Sequence, residues 1–279
     1  MASPTQITPA QLLRLIGTPE CPVIIDVRID EDFAEQPFLI PSAYRVDYRK
    51  MSEIAALLKN SKVVIYCKKG LKIGSGAAAI LRTYGVAAES LSGGLFAWRD
   101  ASFPMIPASK LPFTQAGQSF WVSKARPKID RIACPWLIKR FIDPSAKFLF
   151  VPATQVIAVG EQFNATPFDV EDVYYSHRGN NCTFDTLLSE FNLKTEPLNR
   201  LADIVRGADT NRLDLAPQCA GLLAISLGFS RIYRDDLAQL EASLPIYDAL
   251  YRWCRDATSE KHDSLQKNSQ AAAMERTDG

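Results

Sequence analysis

The stretch Val63-Val64-Ile65-Tyr66-Cys67-Lys68-Lys69-Gly70-Leu71-Lys72-Ile73-Gly74 decides how this chain is read. Its first four residues are apolar and rich in β-branched side chains, and read as a buried strand. A basic, glycine-punctuated turn follows, then an Ala-rich helical stretch from Ser75 to Tyr84, closed by Gly85. Cys67 therefore stands at a strand-to-helix turn. There it faces free amide groups and the positive end of a helix dipole. Those favour an anion, either the thiolate or a group carried on it. Lys68, Lys69 and Lys72 add positive charge, and Gly70, Gly74 and Gly76 let backbone amides turn toward one point. A buried structural cysteine at a strand end is the competing reading. The glycines weigh against it, because a merely structural strand end does not need them.

Working outward, Thr8-Pro9 opens a short helix, because Pro suits the first helical turn. Val23-Ile24-Ile25 reads as another buried strand, and Ser52 is expected to cap a helix over 53–59. Continuous apolar strands between helices argue for a parallel sheet covered on both faces. Pro104, Pro107, Pro112 and Gly117 mark a linker at 107–119. The texture then changes. Phe120-Trp121-Val122 and Phe148–Val151 read as strands, and helices are expected at about 130–142, 183–191, 197–206, 216–227 and 235–256. Gly228 is expected as a C-cap and Pro245 as a kink. The fold expectation is an α/β first domain, residues 1–106, and a mainly helical α+β second domain, residues 120–257. A disordered polar tail is expected over 258–279.

Composition narrows the functional classes. A net charge of +1 over 279 residues gives no case for broad nucleic-acid binding. No apolar run approaches the ~20 residues of a membrane span. Met1 to Gln11 has neither the basic start nor the apolar core of a signal peptide. The six cysteines (21, 67, 134, 182, 219, 254) are scattered without a CxxC pair, so a reducing, cytoplasmic setting is expected. With only His177 and His262, any metal site must lean on carboxylates.

The Cys67 loop separates two chemistries. A phosphatase of the Cys-x5-Arg type needs an arginine fork where this chain has Ile73. A cysteine carrying sulfur as a persulfide needs a snug amide ring and nearby cations, which Cys67–Lys72 can supply. The segment resembles a single-domain rhodanese. The resemblance rests on Asp26-Val27-Arg28, Asp32-Phe33, Ile40-Pro41-Ser42-Ala43, the loop Cys67 to Gly70, and Leu91-Ser92-Gly93-Gly94 with Ala97-Trp98. It covers roughly residues 5–105. It implies that Cys67 is the sulfur-carrying nucleophile and that Lys68, Lys69, Gly70, Leu71 and Lys72 form the substrate loop. It also implies no cofactor for sulfur transfer, a small sulfur donor, and a thiol or cyanide-like acceptor. Two departures matter. Phe38-Leu39 stand where Gly-His is usual, and Lys72-Ile73 where Arg-Ser or Arg-Thr is usual. Lysine cannot make a bidentate fork, so thiosulfate is expected to be a poor donor. Asp26 and Arg28 read as an internal ion pair that fixes the loop.

The second half resembles a chromate-resistance protein domain over about 121–256. The matching segments are Arg126 to Asp143, Phe148 to Pro152, Ser176-His177-Arg178-Gly179, Cys182-Thr183-Phe184, Ile204 to Asp209, Ala220 to Gly228 and Tyr247 to Tyr251. A basic set, Arg126, Lys128, Arg131, Lys139, Arg140 and Arg178, is expected either to bind chromate or a related oxyanion, with Arg131 and Arg178 foremost, or to be a solvated helix face. His177 with Asp130, Asp169 or Asp209 gives a His-plus-carboxylate set suited to iron or manganese, or an acid–base group, or a hydrogen-bonded loop histidine. Cys134 and Cys182 lie beside these motifs, and packing is the favoured role for Cys134. The combined expectation is a sulfurtransferase of chromate resistance. The alternatives are an oxyanion-sensing regulatory module and a metal-dependent protector against oxidative stress.

Overall fold

Thr8 caps the first helix reciprocally with Gln11, each backbone amide bonding the other's side chain at 3.0 and 3.3 Å. The computed structural model describes residues 5–112, 114–115 and 117–260. In chain order the first domain contains β1 (Gln6–Ile7), α1 (Pro9–Leu15), β2 (Val23–Asp26), α2 (Asp30–Glu35), β3 (Phe38–Leu39) and β4 (Ala43–Arg45). There follow α3 (Met51–Leu58), β5 (Lys62–Tyr66), α4 (Lys72–Thr83), β6 (Ala87–Leu91), α5 (Gly94–Asp100) and β7 (Ile106–Pro107). Five parallel strands in the order β1-β6-β5-β2-β4 place β5 at the centre of the sheet. Its alternation is read by both faces. Val63, Ile65 and Cys67 join one core cluster with Ala77, Ala78 and Leu81, whereas Val64 and Tyr66 join the cluster on the opposite face. Each fully buried Val or Ile there contributes about 1.5–3 kcal/mol. The α/β expectation for this domain holds.

Three local expectations need correction. Ser52 lies inside α3 and caps nothing; a short 3-10 turn over Tyr48–Lys50 precedes the helix, and the Asp47 carboxylate accepts the Arg49 amide at 2.9 Å. Helix α4 starts at Lys72, three residues earlier than expected, so Gly74 is helical along with Gly76. Of these three glycines only Gly70 is left-handed, at φ 67°. The stretch expected as a linker is tied down at both ends: Phe38 and Leu39 pair antiparallel with Pro107 and Ile106, and Gln118 opens a new strand.

The second domain continues with β8 (Thr114–Gln115), β9 (Gln118–Lys124), α6 (Asp130–Leu137), β10 (Lys147–Val151), α7 (Val156–Phe163) and β11 (Thr166–Pro167). It ends in α8 (Thr183–Glu190), α9 (Glu196–Asp209), α10 (Cys219–Ile232) and α11 (Asp236–Arg252). β10 and β11 flank β9 in parallel, and β8 pairs with it antiparallel. Around this small sheet the domain is mainly helical, as expected. Helix α7 was not expected: Val156-Ile157-Ala158-Val159-Gly160 is rich in β-branched residues and carries a glycine, poor helix formers whose propensity tertiary packing overrides. Gly228 is no C-cap but an exposed interior residue of α10, and α11 runs on through Pro245. Of the expected tail, 261–279 lies outside the described residues.

The domains are packed together. The Ser42 amide donates to the Phe141 carbonyl at 2.6 Å, and the Arg255 guanidinium donates to the Arg14 carbonyl at 3.0 Å. Gly17, at φ 80°, lies against Phe141, where an added Cβ would stand 2.3 Å from the ring. One apolar cluster runs from Ile7 to Cys254 across the junction. No helix among the described residues is long and apolar enough to cross a membrane.

Candidate functional site

Cys67 sits where β5 ends and is only 5% exposed. The loop from Cys67 to Leu71 is held by α5: the Leu95 amide donates to the Cys67 carbonyl at 2.9 Å and the Phe96 amide to the Lys68 carbonyl at 3.0 Å. This contact explains the glycines. A Cβ on Gly70 would lie 2.6 Å from the amide nitrogens of Gly93 and Gly94, and one on Gly94 would lie 2.3 Å from the Cys67 carbonyl oxygen. Gly74 has a separate role. A Cβ there would stand 3.3 Å from Sγ, so its absence keeps space beside the thiol. No side chain caps α4, so its first-turn amides have no intrahelical partner and its dipole presents positive charge at the loop.

The lysines divide. Lys68 reaches away to Asp32 at 2.9 Å and Glu35 at 2.5 Å, pinning α2 to the loop. Lys69, Leu71 and Lys72 are exposed. The backbone, with Lys69 and Lys72, is thus left to attract an anion; the Lys68 ammonium already has two carboxylates. Asp26 and Arg28 form the expected ion pair, fully buried at 2.5 Å. Arg28 also donates to the carbonyls of Gln36 and Phe38 at 2.8 and 2.7 Å. The guanidinium therefore fixes the segment leading to Ile40-Pro41 and touches no part of the Cys67 loop that its bonds define.

A second centre forms in the other domain. His177 Nε2 lies 3.5 Å from Asp130 Oδ2, 3.3 Å from Asp169 Oδ1 and 3.4 Å from Asp209 Oδ2. Donor atoms of Asp130, His177 and Asp209 all lie within 4.8 Å of one another. The three residues named from the sequence therefore converge, from the start of α6, the loop before α8 and the end of α9. Asp130 is fully buried and seated on the N-terminus of α8, accepting the Thr183 amide at 2.6 Å and the Phe184 amide at 3.0 Å. Its position follows from a constrained backbone: Ile129 is held at φ 38°, its amide donating to Ser226 Oγ at 3.0 Å and its carbonyl accepting from the Tyr247 hydroxyl at 2.9 Å. Asp169 accepts Thr183 Oγ1 at 2.9 Å and pairs with Arg131 at 3.1 Å.

Crowding of negative charge shows in the titration of the cluster. Asp130 first, then Asp169, push the His177 imidazole up to about 10. Burial, then the charges of Asp130 and Asp169, push Asp209 up to about 7. Burial raises Asp130 as well. Cys134 and Cys182 are both buried nearby, Cys134 Sγ standing 3.5 Å from Asp130 Oδ1. Burial, reinforced by Asp130, drives both thiols well above the usual range. They pack as protonated thiols, which suits the packing role and disfavours a redox one.

The basic set is not gathered at this centre. Arg178 pairs with Glu190 at 2.5 Å, Arg140 with Asp248 at 2.8 Å and Lys139 with Glu241 at 3.3 Å. Arg126 donates to the Tyr233 carbonyl at 3.0 Å, at the end of α10. Of these only Arg131 reaches the cluster, and it arrives already paired with Asp169. Sequence reasoning passed over Thr183 and the Phe184 amide, which orient the carboxylates; Thr183 lay in a quoted motif, but nothing in its spacing gives it a partner 53 residues upstream.

Two family models match separate parts of the chain. Residues 8–101 match a family described as rhodanese-like domain, and residues 121–254 one described as ChrB, C-terminal domain. The chain is 30% identical to Protein ChrB of Cupriavidus metallidurans over 132 residues, 47% of this chain and 39% of that protein, less than half its length. Among solved structures, a rhodanese-related protein from Thermoplasma volcanium is 19% identical, covering 36% of this chain and 96% of that one at a TM-score of 0.32. A rhodanese-like domain protein from Staphylococcus aureus is 28% identical, covering 34% and 90% at 0.30. A thiosulfate sulfurtransferase from Pseudomonas aeruginosa is 25% identical, covering 36% and 19% at 0.30. The chain thus joins a rhodanese-like domain to a ChrB C-terminal domain.

Proposed function

We propose that this protein acts in chromate resistance as a sulfane-sulfur carrier, with Cys67 taking sulfur from a small donor as a persulfide and passing it to a nucleophilic acceptor. One observation carries the reading: a nearly buried thiol lies at the uncapped N-terminus of α4, with side-chain-free space beside Sγ at Gly74. The helix amides face the anionic end of the donor and the outer sulfur that Cys67 then holds. In the first step the Cys67 thiolate forms an S–S bond to the donor's sulfane sulfur as the donor's own bond to that sulfur breaks, the electron pair leaving with the donor. In the second the acceptor attacks the outer sulfur and the Cys67 thiolate returns. No external oxidant or reductant is needed. Lys72 offers a point charge but no fork, so a polysulfide or low-molecular-weight persulfide suits the loop better than thiosulfate.

The setting in chromate resistance rests on the second domain's likeness to the ChrB C-terminal domain. An oxyanion-sensing module has less support, because Arg131, Lys139, Arg140 and Arg178 are each committed to a carboxylate. The test is sulfur transfer to cyanide from polysulfide, thiosulfate and mercaptopyruvate. Thiocyanate should form fastest from polysulfide and fall to background in Cys67→Ala. Equal rates in wild type and variant with every donor would overturn the reading.

A further inference from the structure

We propose that Asp130, His177 and Asp209 bind one divalent first-row metal ion, manganese or iron by donor type, with Asp169 and Arg131 as its outer partners. The geometry around His177 carries this. An imidazole nitrogen has one hydrogen and one direction in which to donate it. Here Nε2 faces three carboxylate oxygens at 3.3, 3.4 and 3.5 Å, each beyond the usual 2.7–3.2 Å for N–H···O. No one of them is chosen as a hydrogen-bond partner. The spacing fits a shared centre instead: with bonds of about 2.1 Å, adjacent donors around a metal lie about 3.0–3.4 Å apart.

Charge points the same way. Asp130, Asp169 and Asp209 converge on one imidazole with a single guanidinium, Arg131, beside them, a surplus of acidic groups that a divalent ion would offset. Asp209 is also the last residue of α9, at the end of a helix where a cation is favoured and a carboxylate is not. The surroundings have the form of an outer coordination shell. Thr183 and Phe184 amides orient Asp130, while Thr183 Oγ1 and Arg131 orient Asp169. One imidazole with carboxylates is a hard, oxygen-rich set, which suits manganese or ferrous iron better than copper or a thiolate-seeking ion. His177 is 42% exposed at its side chain, so water can reach the remaining positions.

The experiment strips the full-length protein with chelator, then titrates manganese, ferrous iron under nitrogen, and zinc. Calorimetry should give one ion per chain, and pulsed electron paramagnetic resonance of the manganese form should show coupling to one imidazole nitrogen. His177→Gln and Asp209→Asn, at positions open enough to tolerate the change, should abolish binding while retaining the wild-type circular dichroism. Asp169→Asn should weaken it by about 10–100-fold, the size of an outer-shell loss. Asp47→Asn, at an exposed pair in the first domain, should leave it unchanged. Wild-type protein that takes up none of the three metals would overturn the proposal, as would bound manganese without imidazole coupling, or binding that survives His177→Gln.

Discussion

Cys67 and His177 lie in centres built by opposite means. The Cys67 centre is one turn braced by a second, and its chemistry comes from backbone: a helix start, a left-handed Gly70 and the close approach of Gly93-Gly94. The His177 centre takes side chains from segments around 130, 169, 177 and 209, and its chemistry comes from charge concentrated on a buried carboxylate. A backbone-made centre tolerates change in its side chains but not in its glycines. A side-chain-made centre should behave in the reverse way. The largest expected effect tests this directly. Gly70→Ala must adopt φ 67° and push its Cβ to 2.6 Å from two amide nitrogens, which costs on the order of 3 kcal/mol. Urea unfolding should show that loss, with sulfur transfer falling too. Gly76→Ala, four residues past Lys72 on an exposed face with nothing within 4 Å of the new Cβ, should instead stabilise by about 0.5–1 kcal/mol and keep transfer. Equal behaviour of the two variants would break the backbone account.

The contrast also explains what the sequence disclosed. Cys67 and Asp26-Arg28 are legible because each works through near neighbours on the chain, whereas the Gly93-Gly94 pair is legible only as a motif, its contacts being with Cys67 and Gly70 far upstream. Gly74 reads with Gly70 as a loop glycine because a string of glycines does not reveal where a helix begins; α4 starts ahead of it. Ser52 has the composition of a cap, but Asp47 caps the 3-10 turn that leads into the helix ahead of it. Helix α7 was hidden by its β-branched residues, and Gly228 looked like a stop because propensity weighs glycine without the packing that carries α10 past it. In the second centre the residue types could be named but their convergence could not. Asp130 and Asp209 meet only after α6, α8 and α9 pack, and Arg131 and Arg178, adjacent in the same expectation, end on Asp169 and on Glu190.

A middle-sized effect concerns the junction between the two regions. Gly17→Ala would drive a Cβ into Phe141 at 2.3 Å and should destabilise by about 1–3 kcal/mol in urea. Because one apolar cluster spans both domains, unfolding should stay a single transition, monitored by tryptophan fluorescence and circular dichroism together. Two separated transitions would mean that the domains are energetically independent.

The smallest effect is on pH dependence, at the contact between the segment after β7 and the end of α8. Burial disfavours the Glu190 carboxylate, but Lys110, Tyr174 and Arg178 outweigh it and hold the group down at about 2. A carboxylate lowered on folding contributes stability that is present above the ordinary carboxylate range and is lost as pH falls through about 2. Lys110→Met should therefore flatten part of the decline in stability between about pH 5 and pH 2, without changing sulfur transfer at neutral pH. An unchanged acid limb would show that the Lys110–Glu190 contact, 2.7 Å in the structure, has no energetic weight.

The central claim is that Cys67 carries sulfur, and intact-protein mass spectrometry tests it most directly. Wild-type protein treated with polysulfide and freed of excess donor should gain one sulfur atom, located by peptide mapping on Cys67 and removed by cyanide, with Cys67→Ser gaining none. A sulfur found on Cys21 or another of the remaining thiols, or none on Cys67 with any donor, would contradict it.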